Sequence, residues 1–435
     1  MNTISCRHLI ASIILAGVAA SLNINASFAQ SDGAARTSII VTKSRFDLGI
    51  TGASNSVITA EDIARSPAST LQDILGLEPG IQTSSTYGGV NGAGTTIDLR
   101  GFGASAASNT LVLINGRRLT DIDLAGVDFS AIPRDSIERI EISRGNSGAV
   151  LYGDGAVGGV VNIVTKSGVG LPASGQVSGG YGSFRQREGN LSASASTGPF
   201  STSVFANAIN SDGYRVNNAL RQRNAQGDFR YNLGGGTFYA NISADDQKLG
   251  LPGARRVTLT SSELETDRRG ATTPTAFANK QGVNATLGYS QMLQSGLEFI
   301  IDGGVRKKDQ QAFSSLFGFD TSDDRGLVAL SFTPRFIANS NVFGLPSKVI
   351  SGVDFQDSTL SVNRSAKLSD PPIHSYALRQ RSLAGYWQNT VGFTPNTDVS
   401  WGARLQQTTV SASDQFDPNA PGAFFGDAQA VPLHS

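Results

Sequence analysis

From Gly175 onward the chain alternates apolar and polar residues in long segments, and a period of two sustained over such lengths admits few folds. In VNATLGYS the apolar positions are Val283, Ala285, Leu287 and Tyr289, with Asn284, Thr286 and Ser290 facing the other way. GLEFIIDGGVRK sets Leu297, Phe299, Ile301 and Val305 against Glu298, Asp302 and Arg306. VSWGARLQ sets Val399, Trp401, Ala403 and Leu405 against Ser400, Arg404 and Gln406. GTFYANISADDQ repeats the pattern, with Phe238, Ala240, Ile242 and Ala244 opposite Asn241, Ser243 and Asp245. Gly, Asn, Asp and Pro turns separate segments of about 10 to 16 residues, where sandwich strands are usually about five or six. One apolar face, one polar face and aromatics near the ends fit a transmembrane antiparallel β-barrel, apolar to lipid and polar to its lumen. A soluble sandwich alternates as well, but its strands are shorter.

Before about Gly168 the grammar differs. TAEDIARSPASTLQDILGL starts with Thr59 as a helix cap, breaks at Pro67, resumes with Leu71, Ile74 and Leu75, and stops at EPG. TTIDLRGFG, NTLVLINGRRL and SIERIEISRG read as short strands, the second with an Asn115-Gly116 hairpin turn. About 140 residues of such α+β pattern is one compact domain. The expected fold class is therefore an α+β domain at 46–170 followed by barrel strands at 171–435.

Residues 1–29 read as a secretory signal: Arg7 and His8, an apolar run from Leu9 to Leu22, then small Ser27 and Ala29 before Gln30. The single cysteine, Cys6, falls inside it, and of three histidines only His374 and His434 lie beyond it. A disulfide, a His/Cys metal cluster or a His-based catalytic centre then has almost nothing to work with. Lys+Arg and Asp+Glu balance at 35 each, which argues against a nucleic-acid binder. An enzyme is not expected, and no cofactor.

YGDGAVGG (Tyr152 to Gly159) contains Gly153, Gly155 and Gly158 in the spacing of a dinucleotide-binding loop. That reading requires a helix next and an acidic residue about 20 positions on. The next residues are instead VVNIVTK, a β-branched strand sequence, and no acidic residue stands near Gln176. These glycines, with Gly159, need another explanation.

The first domain resembles the plug of TonB-dependent outer-membrane receptors, on SIIVTKSR, VITAEDI, LQDILGLEPGI, IDLRGFG, LVLINGRRL and IERIEISRGNSGAVLYGDGAVGGVVNIVTKSG in that order. The resemblance implies energy-coupled uptake of scarce nutrients through the outer membrane of a Gram-negative cell. It also implies that Gly153, Gly155, Gly158 and Gly159 let backbone segments approach closely where the domain turns before its last strand. It makes Ser38, Ile39, Ile40, Val41 and Thr42, within 30–45, a TonB box that adds a strand to a TonB-type periplasmic energy-transducing protein. It implies that Arg100 and Arg144 lock the plug by pairing with barrel-wall glutamates in the C-terminal half beyond this chain, which bidentate guanidinium forks suit. It places three loops at the outward apices, where Tyr87, Asn91, Ser105, Asn109, Asp121 and Asp123 are candidate ligand contacts. The segment from Asp246 to Asn279 reads as a large extracellular loop.

Barrels of this family have about 22 strands, whereas about 11 are readable here, so the chain is expected to be the N-terminal part of a longer receptor. The expected ligand is a metal chelate, a ferric siderophore first and cobalamin as the close alternative. Haem is less favoured for want of histidines. A passive porin, the reading from another class, would need neither plug nor box.

Overall fold

The computed structural model describes residues 54–423 apart from 69, 86–93, 154, 317–318 and 395–396. The TonB box expected at Ser38 to Thr42, the signal segment, Tyr87 and Asn91 lie outside the described residues.

The plug strands are β1 (Ser54–Thr59), β2 (Gln82–Ser85), β3 (Thr95–Asp98), β4 (Thr110–Ile114), β5 (Arg117–Arg118), β6 (Ile137–Arg144) and β7 (Gly159–Thr165). Five form one sheet in the order β1-β6-β7-β4-β5, with only the β4–β7 pair parallel, and β2 pairs with β3. Strand β7 is buried along its whole length, as its run of β-branched residues requires. The helices Ala60–Arg65 and Leu71–Gly76 cover one face. Thr59 and Asp62 close a capping box on the first, and Thr70 caps the second. Ile63, Ile74, Leu75, Phe129, Ile140, Ile142, Val161 and Ile163 form the core between them. Asn115 (φ 49°) and Gly116 (φ 79°) make the β4–β5 hairpin turn with two positive φ values, which this residue pair tolerates.

The wall is a 12-stranded antiparallel sheet. It comprises β8 (Ser174–Gly182), β9 (Gln186–Thr197), β10 (Phe200–Ser211), β11 (Leu220–Asn232), β12 (Gly236–Gly250) and β13 (Phe277–Gln294). It continues with β14 (Leu297–Leu316), β15 (Phe319–Phe332), β16 (Arg335–Val342), β17 (Leu345–Ser365), β18 (His374–Thr394) and β19 (Thr397–Phe416). Both β14 and β17 pair with β15 and with β16, so these two are one pass interrupted at Thr333 and Pro334. Twelve segments therefore make eleven passes (12 − 1), the number read from the alternation. A proline has no N–H for the ladder, which accounts for the break. The expected loop from Asp246 starts later than the alternation suggested. Asp246 to Gly250 still pair with β13, and the loop is 251–276.

Tight connections at 198–199, 233–235, 295–296 and 343–344 gather at one rim of the wall. The longer connections at 212–219, 251–276 and 366–373 gather at the other. Outer-membrane barrels place short turns in the periplasm and long loops outside, which orients the wall. The alternation holds throughout: Leu287, Val305, Leu330, Leu383, Trp401 and Leu405 are exposed on the outward face. Tyr239, Asp302, Gln226 and Arg230 are buried on the inward one. Toward the short-turn rim the outward aromatics pair across strands, Phe238 with Tyr289 at 4.5 Å and Phe299 with Phe336 at 4.9 Å between ring centroids. Such an aromatic girdle marks a membrane interface.

Candidate functional site: the plug–wall interface

The inward polar residues of the wall meet the plug along a chain of charged contacts that begins at the β4–β5 hairpin. Asp302 on β14 is the first anchor. It accepts from Tyr239 Oη at 2.8 Å, Thr333 Oγ1 at 2.5 Å and Arg335 Nη1 at 2.9 Å, and pairs with Arg117 of the plug. Arg117 also donates to Ser331 Oγ at 2.9 Å. The strand break at Pro334 is what brings Thr333 and Arg335 onto Asp302, so the irregularity in the wall builds the anchor.

Further along the plug, Asp121 accepts from Arg306 at 2.5 Å and from Lys308, while its side chain is only 5% exposed. Burial pushes the Asp121 carboxyl up, but Arg306 and Lys308 outweigh it and hold the group below the ordinary carboxylate range. Asp123 meets Arg325 at 3.3 Å. Asp128 pairs with Lys280, which also meets Asp245 at 3.0 Å. The Ser130 carbonyl accepts from Asn224 at 2.8 Å and from Gln222, and its hydroxyl from Gln247 at 2.6 Å. The β4–β5 turn is tied in as well, Asn115 donating to Asn241 at 3.0 Å. Removing one partner of such buried pairs costs about 3–5 kcal/mol, because the other charge is left in low dielectric.

The plug also contacts the wall through apolar groups. Leu151, Tyr152, Ala156 and Val160 pack with Ile350 on β17 and Tyr386 on β18. Between the hairpin and the wall lies a cavity of about 110 Å³ lined by Arg117, Arg118, Arg306, Asp354 and Ser358 among others.

The sequence-derived candidates separate accordingly. Asp121 and Asp123, expected at a ligand, are tied to the wall cations Arg306, Lys308 and Arg325, and these pairs, with that of Arg117 and Asp302, are contacts that sequence reasoning did not find. Ser105 is exposed, and its carbonyl accepts from Ser108 and Asn109, both at 2.8 Å. Arg144 is held within the plug: it donates to Ser56 Oγ at 3.1 Å and the Pro79 carbonyl at 3.0 Å, with Glu78 at 3.8 Å. Arg100 is exposed. Among the described residues, ion pairs between plug and wall include those of Arg117, Asp121, Asp123 and Asp128, while the glutamates expected to receive Arg100 and Arg144 belong to wall strands beyond those described. The glycine run contains no phosphate-binding helix. A Cβ on Gly158 would stand 2.9 Å from the Asn109 carbonyl oxygen, and one on Gly159 2.4 Å from that of Ser143.

Asp98 was not singled out from the sequence. Its Oδ1 accepts from the amides of Arg100, Gly101 and Phe102 at 3.0, 2.8 and 3.0 Å, and its Oδ2 from Gly103 at 2.7 Å. Burial acts to raise this carboxyl, but the four amides prevail and lower it. The Asp-Leu-Arg-Gly spacing in IDLRGFG was the available signal, since aspartates organise turns over the next few amides.

A two-part molecule of this kind, a transmembrane antiparallel wall tied to an α+β plug on its inward face, is a plugged membrane β-barrel. The TonB-dependent Receptor Plug Domain model matches residues 49–160. A vitamin B12 transporter of Vibrio vulnificus is 26% identical over 386 residues, 87% of this chain and 58% of the relative. The ferrienterobactin receptor of Escherichia coli is 39% identical over 145 residues, 30% of this chain and 18% of the relative. Among solved structures, the ferric citrate transporter FecA in its unliganded form matches with a TM-score of 0.71 at 19% identity, covering 83% of this chain and 57% of that one. Residues 49–160 match the plug family of the TonB-dependent receptors, and the chain as a whole is similar to such receptors in sequence and fold. It spans a little under three fifths of the length of these full-coverage relatives.

Proposed function

We infer that the chain forms the plug and adjoining wall of an outer-membrane receptor that imports a metal chelate by energy coupling, with a ferric siderophore as the ligand class. The observation that carries this reading is the plug itself, seated on the inward face of a membrane wall and attached by contacts that are individually reversible. A plug so placed closes a pore until something moves it, which a passive porin would not need. In this reading, strand addition at Ser38 to Thr42 by a TonB-type partner supplies the pull from the periplasm, after export through a cleaved signal at 1–29. The protein makes and breaks no covalent bonds, and the exposed loop around Ser105 and Asn109, with Tyr87 and Asn91, would face the incoming ligand.

Cobalamin is the second reading, favoured by one observation: the match to a vitamin B12 transporter extends over 87% of this chain, through plug and wall alike. The matches to ferric enterobactin receptors are higher in identity, at 39–41%, but cover 26–30% of the chain. Uptake of radiolabelled ferric chelates and of labelled cobalamin by a deletion strain, with and without the gene restored, decides between them. Restoration of cobalamin uptake alone overturns the siderophore reading. Restoration of neither, with the receptor present in the outer membrane, overturns both.

A further inference from the structure

The wall carries a second charged feature, on its outward face and unconnected with the plug. Cross-strand register aligns Arg187 on β9, Asn210 on β10, Arg221 on β11 and Lys248 on β12 in one row. The next row toward the membrane contains Arg223 and Asp246, which are register partners. These side chains face outward, because the residues between them on β11, Gln222 and Asn224, reach inward to the Ser130 carbonyl. Together they line an open cavity of about 480 Å³. Glu188 also borders it, but Asn190 and Asn207 donate to that carboxylate at 3.2 and 3.4 Å.

Position gives the patch its meaning. Below it on the same outward face run Phe229 and Ala225 on β11 and Phe238, Ala240, Ile242 and Ala244 on β12, the lipid-facing band. The first charged residues above that band sit at the level of lipid headgroups, on the long-loop rim. Elsewhere on the outward face the cations above the band are paired with carboxylates: Lys307 meets Asp309 at 3.0 Å, and Asp357 takes Arg379 at 2.6 Å and Arg381 at 3.2 Å. Here four cations, Arg187, Arg221, Arg223 and Lys248, share one outward carboxylate, Asp246, an excess of three (4 − 1). Arginine forks and a lysine converging on a recess match phosphate oxygens, and a clustered excess of cations at a membrane surface recruits anionic headgroups.

We propose that this patch binds the phosphate groups of a glycolipid in the outer leaflet. The inference rests on the reading of the wall as membrane-embedded with its long loops outside. The occupant is a lipid rather than a free anion because the recess opens directly above the apolar band, where acyl chains and headgroup can be held together.

The test uses full-length receptor purified from outer membranes in detergent and probed by native mass spectrometry with lipid A carrying two phosphates. Arg221→Gln or Lys248→Gln should each weaken retention about fivefold, as expected for one cation at a charged surface. Arg187→Gln, Arg221→Gln, Arg223→Gln and Lys248→Gln combined should abolish it. Arg379→Gln with Arg381→Gln, cations outside the patch, should leave retention unchanged. Dephosphorylated lipid should bind the native receptor no better than bisphosphorylated lipid binds the combined variant. Unchanged retention in the single variants overturns the proposal, and those variants decide the matter should the combined one fail to fold. Displacement of the lipid by millimolar inorganic phosphate also overturns it, assigning the patch to a free anion. Recovery of the native receptor outside the membrane fraction would instead sink the underlying reading of the wall, an outcome distinct from weak lipid binding by a membrane-inserted protein.

Discussion

Replacing Asp121 with Asn should loosen the plug from the wall more than any other single change in the contact chain, because one carboxylate there serves two wall cations, Arg306 and Lys308. With charge centres about 4 Å apart and an effective dielectric of about 20, each pair attracts by roughly 4 kcal/mol. Taking three ions out of water returns several kcal/mol of that, which leaves a net cost of removal of about 3–5 kcal/mol. The measurement is urea-dependent release of the plug in the full-length receptor, followed by protease cleavage between residues 119 and 128. The midpoint should fall in Asp121→Asn. In a double-mutant cycle with Arg306→Gln, much of the loss should be shared, because both changes remove the same pair. The sign with pH follows from the lowered carboxyl. The contribution is present above the unfolded-state value near 3.8 and is lost as pH falls through the lower value in the docked state. Docking should therefore hold steady from neutrality to about pH 5 and weaken only in stronger acid. A loss below about 1 kcal/mol, the range of exposed pairs, or zero coupling with Arg306 would refute the reasoning.

Gly158→Ala should destabilise the plug by about 1–3 kcal/mol through overpacking against the Asn109 carbonyl. Gly155→Ala, where the nearest atoms are 3.6 Å away but φ is +85°, should cost nearer 1 kcal/mol; thermal unfolding of the two variants checks the order. Asp98→Ala should speed hydrogen exchange at the amides of residues 100 to 103, since its carboxylate accepts from all four; unchanged exchange there would deny it that role. Deleting Ile39 to Thr42 should abolish uptake while leaving surface binding of the ligand intact, as radiolabelled binding at low temperature would report. Equal loss of both would make the segment a structural strand.

The architecture was largely legible in the chain because both of its regions obey short-range rules. Period-two alternation marked eleven wall passes and the face each residue takes, but it understated their length: β13, β14, β17, β18 and β19 have 18 to 21 residues, and β12 runs past the charged pair Asp245 and Asp246 to Gly250. The Thr59 cap, the Pro67 break and the Asn115-Gly116 turn are likewise local signals, and each stands where the residue pattern places it. The contacts between plug and wall were not legible. Alternation shows that Asp302, Arg306 and Lys308 face inward but says nothing of which plug residue lies across from them, 185 to 187 positions away in the chain. Asp121 looked like a loop carboxylate open to solvent because its two partners are encoded far downstream. The contacts of Arg144 within the plug, to Ser56 and the Pro79 carbonyl, were equally hidden, because those partners are polar groups of no special pattern.

The length of the last wall strands has a kinetic consequence. Strands β17 and β18 have 21 residues each. At about 3.3 Å per residue and a tilt near 45° such strands rise roughly 50 Å, well beyond the apolar band of about 25 Å. The excess forms a water-exposed collar on the long-loop side, carrying Asp357, Arg379 and Arg381 on its outer surface and Asp323 with Arg364 on its inner one. A solute that enters this collar no longer searches in three dimensions. Its last stretch is a confined walk along a charged vestibule, where repeated short-range collisions raise the chance of capture before escape. Arrival rates will then follow ionic strength, set by the collar before the plug is ever touched.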